Sequence, residues 1–402
     1  MNNILVNDTD VVSLMTEKSF VAACEHYSNP DFWRDVYADE IRCFGVSNLP
    51  ILAQQMREEK EMEETVSDEQ FKDCVADTGL FTALPSPKGG YETYAGRFTC
   101  YTSMYNRSGT NCRMVTTTTS HGKITALPAE MRGEEINRGW NTSKELISVY
   151  IPDGKISFFG SEKYKILPFI DGYKAVKEEL LSSYPEHKYM NGQIDHEYIF
   201  GEWKLNAAEE DEYALMLEDI GAIKKGETTP FFLRFSTSNV GNAKMSVRLM
   251  VEIGGVQMPL GKPMNIWHHC DKWVENKEKL NHDNGCEIAD LKIKLTWLGK
   301  LMKENEDLIE VLGNTDIDHP AGCLQKLLEE CNTISAKDRK QAIEDMQTLY
   351  PRSCTAIDVY IMASSLAKTG KTPKSVVHIT EEVAELQFKN FKLYDKPLKV
   401  EA

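Results

Sequence analysis

The feature that most constrains the fold is a change in hydrophobic periodicity near Asp271. Between Tyr94 and Trp267, runs of β-branched and aromatic residues alternate with turn residues, which is typical of strands joined by hairpins. From Ile288 to Leu312, apolar residues recur every three or four positions, which indicates one long amphipathic helix. The chain is therefore predicted to be α+β, with a mixed or antiparallel sheet region that carries β-hairpins and is flanked by helices.

Turn chemistry predicts where the hairpins lie. The clearest is LISVYIPDGKISFF at 146–159, where the PDG sequence occupies the turn between two runs of β-branched and aromatic residues. Residues 94–119, with NRSGTN at their centre, predict a second hairpin. Residues 230–253 predict a third hairpin, because the asparagines and the glycine of its turn tolerate a left-handed backbone.

Three regions are expected, since 402 residues exceed the roughly 250–300 at which one core stops growing. Residues 1–84 are predicted to form a helical N-terminal cap, because apolar residues near Phe20 and Trp33 follow a helical spacing. Residues 91–270 are predicted to form a strand-rich core, with a helix at 171–184. Residues 271–402 are predicted to be helical, with LPSPKGG at 84–90 as an exposed loop before the core.

Composition narrows the classes of partner and compartment. The formal charge of −16 favours solubility and repels polyanions, so any contact with nucleic acid needs a local basic groove. The N-terminal residues lack the pattern of a signal peptide, and no apolar run reaches the roughly 18 residues of a membrane helix. Ten cysteines without a CxxC pair indicate buried thiols. The expectation is a cytoplasmic protein with no membrane partner.

Three stretches together resemble the phage/plasmid-like protein family, a domain of unknown function found in bacteriophages and mobile elements. They are EKYKILPFIDGYKAVKEEL at 162–180, FSTSNVGNAKMSV at 235–247 and TAIDVYIMASSL at 355–366. The resemblance covers about 160–370 and includes no catalytic signature. It implies an α+β fold and a mobile-element origin, with cytoplasm of the host as the compartment.

A zinc site is one hypothesis, carried by PMNIWHHCDKW at 263–273. His268 and Cys270 would share a face of an extended strand, and His282 and Cys286 would complete a tetrahedral set. The alternative is a strand end whose histidines contact solvent or carbonyl groups. That alternative is favoured, because Asn284 and Gly285 form a turn pair that need not orient the last two ligands.

A magnesium-dependent nuclease is a second hypothesis, carried by IDHEYIFGEWK. Asp195 and Glu202 would hold the metal ion, and Lys204 would stabilise the developing negative charge. On one continuous strand, however, Asp195 lies on the opposite face from the other two residues. The alternative is a half-exposed structural strand.

A third candidate is the polar stretch RFSTSNVG at 234–241 and the basic residues after it. The set that could bind phosphates comprises Arg234, Ser236, Thr237, Ser238, Asn239, Lys244 and Arg248. The alternative is turn chemistry, since short polar side chains satisfy nearby backbone groups.

These observations favour a non-enzymatic accessory protein in DNA transactions, of the single-strand binding or annealing type. The alternative is a counter-defence protein or other inhibitor that binds a host protein, for which an acidic surface is natural. A metal-dependent nuclease is the enzymatic outsider, and a homo-oligomer is compatible with each of these. No cofactor is expected beyond the zinc and magnesium hypotheses.

Overall fold

The computed structural model describes residues 10–45, 80–97, 99–110, 116–118, 124–126, 129–240 and 244–399. In chain order the strands are β1 (Val12–Ser13), β2 (Trp33–Tyr37), β3 (Arg42–Gly45), β4 (Leu80–Pro85), β5 (Tyr91–Gly96), β6 (Thr116–Thr118), β7 (Ile124–Ala126), β8 (Leu146–Tyr150), β9 (Lys155–Ile156), β10 (Phe158–Gly160), β11 (Lys188–Ile194), β12 (Ile199–Lys204), β13 (Phe231–Thr237), β14 (Lys244–Ile253), β15 (Val256–Trp267), β16 (Asp316–Ile317) and β17 (Cys354–Thr355). The α-helices are α1 (Glu17–Tyr27), α2 (Cys100–Arg107), α3 (Ala129–Trp140), α4 (Phe169–Ser183), α5 (Glu210–Asp219), α6 (Ile288–Leu295), α7 (Leu298–Gly313), α8 (Pro320–Leu328), α9 (Ala336–Leu349), α10 (Ala356–Ser365), α11 (Pro373–Leu386) and α12 (Phe391–Tyr394). The fold is α+β, as predicted.

A six-stranded antiparallel sheet organises the molecule, with its strands in the order β1-β11-β12-β13-β14-β15. One face of the sheet is apolar, because every second residue of β13 and β14 is large and hydrophobic. Helices α1 and α4 cover this face. Gly172 allows α4 to approach closely, since a Cβ there would lie 2.4 Å from Met245 Sδ and 2.8 Å from Phe235 Cζ.

The opposite face of the sheet carries charged residues and is covered by C-terminal helices. Tyr360 on α10 donates its hydroxyl hydrogen to the Pro259 carbonyl over 2.7 Å. Gln387, just after α11, accepts from the Gly261 amide over 2.8 Å. The core of the sheet therefore continues into the C-terminal region, where Phe391 belongs to the same hydrophobic cluster as Phe20 of α1.

A second hydrophobic cluster belongs to two smaller sheets. One has the order β10-β8-β2 and the other the order β3-β4-β5-β9, in which β5 and β9 are parallel. Helices α2 and α3 pack on them through residues such as Met104, Ile136 and Trp140, each fully buried. Among the described residues, a further small cluster comprises Tyr150, Phe158, Tyr164 and Val240. The boundaries of the three predicted regions stay a prediction.

Two of the predicted hairpins are confirmed. Strands β8 and β10 pair antiparallel around the PDG turn, in which Asp153 adopts a positive φ of 56°. Strands β13 and β14 pair antiparallel as expected, although residues 241–243 of their turn lie outside the described residues. The loop predicted at 84–90 is exposed only at 87–89, in the tight turn between β4 and β5, whereas Leu84 is buried in β4.

Two local predictions are wrong. The expected hairpin at 94–119 contains helix α2, because Cys100 and Met104 lie one helical turn apart and are both fully buried. The expected helix around Trp33 is strand β2, which follows a 3-10 turn begun by Pro30 and pairs with β8. Helix α1 is confirmed, while the part of the predicted cap at 46–79 lies outside the described residues.

The C-terminal region is helical, as predicted, with one difference. The long helix expected from Ile288 to Leu312 is interrupted between α6 and α7 at Thr296 and Trp297. The Thr296 hydroxyl donates to the Ile293 carbonyl over 2.7 Å and so competes with the regular helical hydrogen bonds. Within the described ranges, no helix has the length and apolar content needed to cross a membrane.

Candidate functional site

A row of charged side chains crosses the covered face of the six-stranded sheet. Glu202, Arg234 and Arg248 are cross-strand neighbours on β12, β13 and β14. The Arg234 guanidinium donates to the Glu202 carboxylate over 2.6 Å and to Thr380 Oγ1 over 2.8 Å. Arg248 donates to the Gly261 carbonyl over 3.3 Å, and burial lowers the pKa of its guanidinium.

This row corrects the predicted phosphate-binding surface. Arg234 and Arg248 are only 7% and 5% exposed, because α11 packs over them. Lys244, at the edge of the row, forms an ion pair of 2.8 Å with Glu381 on α11. These three cations therefore hold the sheet and α11 together instead of forming an open basic surface.

The polar residues of the same stretch are buried as well: Ser236, Thr237, Ser238 and Asn239. Ser238 Oγ accepts from the Val240 amide over 3.1 Å, which is the local turn chemistry considered from the sequence. Asn239 donates to the Tyr27 carbonyl over 3.2 Å.

Asn239 also lines an enclosed cavity of about 10 Å³, together with Arg97, Asp195 and His196. That volume is close to the roughly 10–15 Å³ that one water molecule requires. The structure thus brings Asn239 and Asp195 from two predicted sites into one cavity, which is too small for a larger ligand in this conformation.

The predicted nuclease residues do not converge. Asp195 lies in the turn between β11 and β12, where its Oδ1 accepts from the Glu197 and Tyr198 amides over 2.8 and 2.7 Å. Burial raises the pKa of Asp195 to about 6. Glu202 lies four residues beyond Tyr198, roughly 13 Å along an extended chain, and its carboxylate is committed to Arg234. Lys204 lies further still along β12.

The predicted zinc ligands are also separated by their own contacts. His268 is fully buried, stacks on Tyr164 with 5.0 Å between ring centroids, and its Nδ1 lies 2.9 Å from the Lys165 carbonyl oxygen. Burial lowers the pKa of His268 to about 4. Cys286 donates its thiol hydrogen to the His269 carbonyl over 2.7 Å.

The other two predicted ligands, Cys270 and His282, do not complete a site. Cys270 is exposed, and His282 packs its ring against Trp297. Among the described residues, no three His, Cys, Asp or Glu side chains are grouped so that they could hold a metal ion. The structure therefore favours the structural interpretation of this stretch.

Lys294 holds the predicted zinc stretch in place, a role that the sequence reasoning missed. Its side chain is fully buried in α6, and its ammonium donates to the backbone carbonyls of Asn265, His282 and Asn284. Burial lowers the pKa of this ammonium to about 8. The lysine thereby ties the turn at 282–284 to strand β15.

An open groove lies beside this turn and consists of two recesses. The first, the apolar recess, has a volume of about 460 Å³ and is lined by Leu301, Leu308 and Val311 of α7 and by Phe388. Val311 is 61% exposed and Phe388 is 44% exposed. Large apolar side chains at that exposure, grouped in one concave surface, are typical of a binding site.

The second, the carboxylate recess, has a volume of about 430 Å³ and shares Lys262 and His282 with the first, so the two form one continuous groove. Its carboxylates are Asp283, Glu381, Glu382 and Glu385. Burial, followed by the charge of Lys294, lowers the pKa of His282, so this imidazole favours its neutral form.

The charges of the groove are predominantly negative. Its six carboxylates are Glu304 and Asp307 of the apolar recess and the four of the carboxylate recess, and its cations are Lys244, Arg248 and Lys262. Lys244 is neutralised by Glu381, and Lys262 lies with its Nζ 5.7 Å from the centroid of the Phe388 ring. The groove therefore offers an apolar floor with carboxylates along it.

A sequence signal for the groove existed in α7. The buried stripe of this helix includes Leu298, Met302 and Ile309, whereas Leu308 and Val311 fall outside that stripe. Apolar residues outside the buried stripe of an amphipathic helix indicate a second contact surface.

Comparison of the chain with protein-family models, with curated proteins and with solved structures finds no match in any of the three. The resemblance to the phage/plasmid-like family stays a prediction.

Proposed function

We propose that the protein acts by binding, and that its groove takes a basic, amphipathic segment of a partner protein. The proposal rests on one observation. In this groove, exposed apolar side chains such as Val311 and Phe388 lie next to carboxylates such as Asp307 and Glu385. An aliphatic or aromatic side chain of the partner would cover the floor, and lysines or arginines beside it would pair with the carboxylates.

The charge of the whole chain supports this choice of partner. A net charge of −16 attracts a basic partner at long range and raises its association rate. It also repels nucleic acid. Of the cations on which single-strand binding would depend, Arg234 and Arg248 are buried in the sheet and helix interface, and Lys244 is paired with Glu381. A counter-defence inhibitor that binds a basic host protein fits this chemistry best.

The proposal can be tested with a defined probe. The probe is a fluorescein-labelled, helix-forming peptide of leucine and lysine, and its comparison is the same peptide with glutamate in place of lysine. Fluorescence anisotropy should detect saturable binding of the lysine peptide at low ionic strength and weaker binding as salt screens the carboxylates. The glutamate peptide and a labelled single-stranded oligonucleotide should not bind.

Two variants of the groove have matched controls on α5. Val311→Ala should weaken binding roughly fivefold to tenfold, because it removes apolar surface from the floor, whereas Leu215→Ala, at a position that is 64% exposed, should change nothing. Asp307→Lys should weaken binding about tenfold, because a repulsion replaces an attraction. Glu212→Lys makes the same charge change at an exposed residue outside the groove.

Equal losses in the α5 controls would contradict the proposal, because they would show attraction by the net charge alone. Saturable binding of the oligonucleotide that Val311→Ala does not weaken would instead indicate that the partner is a nucleic acid.

A further inference from the structure

A separate crevice lies where helix α2 meets the turn after β10 and the segment that follows β15. It has a volume of about 110 Å³ and is lined by Thr102, Asn106 and Arg107 of α2, and by Ser161, Tyr164 and His269. This volume is several times the roughly 10–15 Å³ that one water molecule needs. It can therefore hold a small polar group.

The lining of the crevice is rich in hydrogen-bonding groups and differs in charge from the chain as a whole. Its side chains include a guanidinium, an imidazole, hydroxyls and an amide, and none of the described residues that line it is acidic. Thr102 and Asn106 are exposed, whereas Ser161 is half-buried. In a protein of net charge −16, such a crevice is a local site for an anion.

Two of the lining residues also carry a buried polar atom that lacks a partner among the described residues. The Tyr164 hydroxyl and the His269 Nε2 are buried and have no hydrogen-bond partner in the part of the chain that the structure describes. Tyr164 as a whole is 7% exposed. Both atoms are buried beneath the lining of the crevice, so either could bond to a ligand there only after its side chain rotates.

Arg107 supplies the charge for such a ligand. Its Nη1 donates to Glu145 Oε1 over 3.2 Å, a single contact between two side chains that are 31% and 32% exposed. A guanidinium has five N–H donors in a planar fork, so this contact leaves donors for an oxyanion.

We propose that the crevice binds a tetrahedral oxyanion of the phosphate type. The Arg107 guanidinium would donate charge-assisted hydrogen bonds to it, and Thr102, Asn106 and Ser161 would add neutral donors. The ligand is either free phosphate or the phosphate group of a larger molecule, because both present the same oxygens. This site is independent of the groove.

The test is isothermal titration calorimetry of the full chain with inorganic phosphate at low ionic strength. Saturable binding is expected, with weaker binding of acetate, which has fewer acceptor oxygens. Phosphoserine, tested beside phosphate, separates the two sources: tighter binding than phosphate indicates that the site takes a phosphate ester.

Three variants test whether Arg107 binds the phosphate. Arg107→Gln should weaken phosphate binding about tenfold, because a charge-assisted hydrogen bond is lost. Glu145→Gln should strengthen it, because the competing acceptor for Arg107 is neutralised. Arg138→Gln is the control, since Arg138 also pairs with a glutamate, Glu135, but lies outside the crevice and is 71% exposed.

Absence of saturable phosphate binding by the wild-type protein would overturn the proposal. So would an unchanged affinity in Arg107→Gln, or a weaker affinity in Glu145→Gln. Thermal melting of each variant shows that the protein is folded, so a change in affinity is not a loss of structure.

Discussion

Replacing Arg234 with methionine should lower the free energy of unfolding by roughly 3–5 kcal/mol, because the change leaves a carboxylate buried without its charge partner. Glu202 is 3% exposed. After the substitution, Glu202 keeps one side-chain hydrogen bond among the described residues, from the Asn191 amide to its Oε2 over 2.9 Å. Thr380 Oγ1 would also lose the donor that Arg234 supplies at 2.8 Å.

The reverse substitution, Glu202→Gln, should also destabilise the protein, for a different reason. It leaves Arg234 beside Arg248, its direct cross-strand neighbour, so two neighbouring buried guanidinium groups remain without the carboxylate that pairs with Arg234. The double variant Arg234→Met/Glu202→Gln removes both members of the ion pair. It should therefore be more stable than the sum of the single changes predicts, with a coupling free energy of roughly 2–3 kcal/mol.

The assay is urea-induced unfolding followed by tryptophan fluorescence. Trp203 is fully buried and follows Glu202 on β12, so its emission reports on this part of the sheet. Lys340→Met is the control, because it breaks an exposed pair with Glu344 at 3.9 Å and should cost less than about 1 kcal/mol. A cost below about 1 kcal/mol for Arg234→Met, or strictly additive single changes, would refute the buried ion pair.

Two further predictions concern buried cations. Arg248→Glu should lower the melting temperature strongly, because it places a carboxylate at a position that is 5% exposed, whereas Lys244→Glu at the half-buried edge should lower it less. Equal and negligible shifts in the two melting temperatures would contradict the burial of Arg248. Burial lowers the pKa of Lys294 in the folded protein to about 8, from the ordinary lysine value of 10.5. The unfolded chain therefore binds the proton more tightly between these pH values, and stability should rise with pH across that window by up to roughly 3 kcal/mol. Urea titrations from pH 8 to 10.5 should show this rise in the wild type and not in Lys294→Met, and a rise of the same size in both proteins would contradict the assignment.

The α+β class and the best hairpins could be predicted because their signals are local. The PDG turn of β8 and β10 depends on residues that adopt their conformation whatever surrounds them, and Asp153 takes the positive φ that such a turn permits. Helix α11 likewise carries local signals at its start, since Thr372 caps it and Pro373 is well tolerated in its first turn.

The elements that sequence reasoning missed depend on distant partners. Helix α2 has a β-rich composition, but its formation is decided by the burial of Cys100 and Met104 against the two small sheets. Strand β2 needs β8, more than a hundred residues later, to supply its hydrogen bonds. Local propensity contains no information about either partner.

The candidate site could likewise be predicted only where its signals are local. The polar character of Arg234, Arg248 and Glu202 was visible in the sequence, but their pairing across neighbouring strands under α11 required the register of the sheet. The groove was missed because Val311 and Phe388 lie 77 positions apart in sequence and meet only when α7 packs beside the end of α11.

The claim that the groove is the binding site is tested most directly by hydrogen exchange of the full chain, with and without the lysine and leucine peptide. Exchange should slow in the segments 298–313 and 381–389, which supply the apolar floor and five of the six carboxylates. Exchange in 210–219, the control helix α5, should not change. Protection confined to segments outside the groove, or no protection at a peptide concentration that saturates the anisotropy signal, would contradict the account.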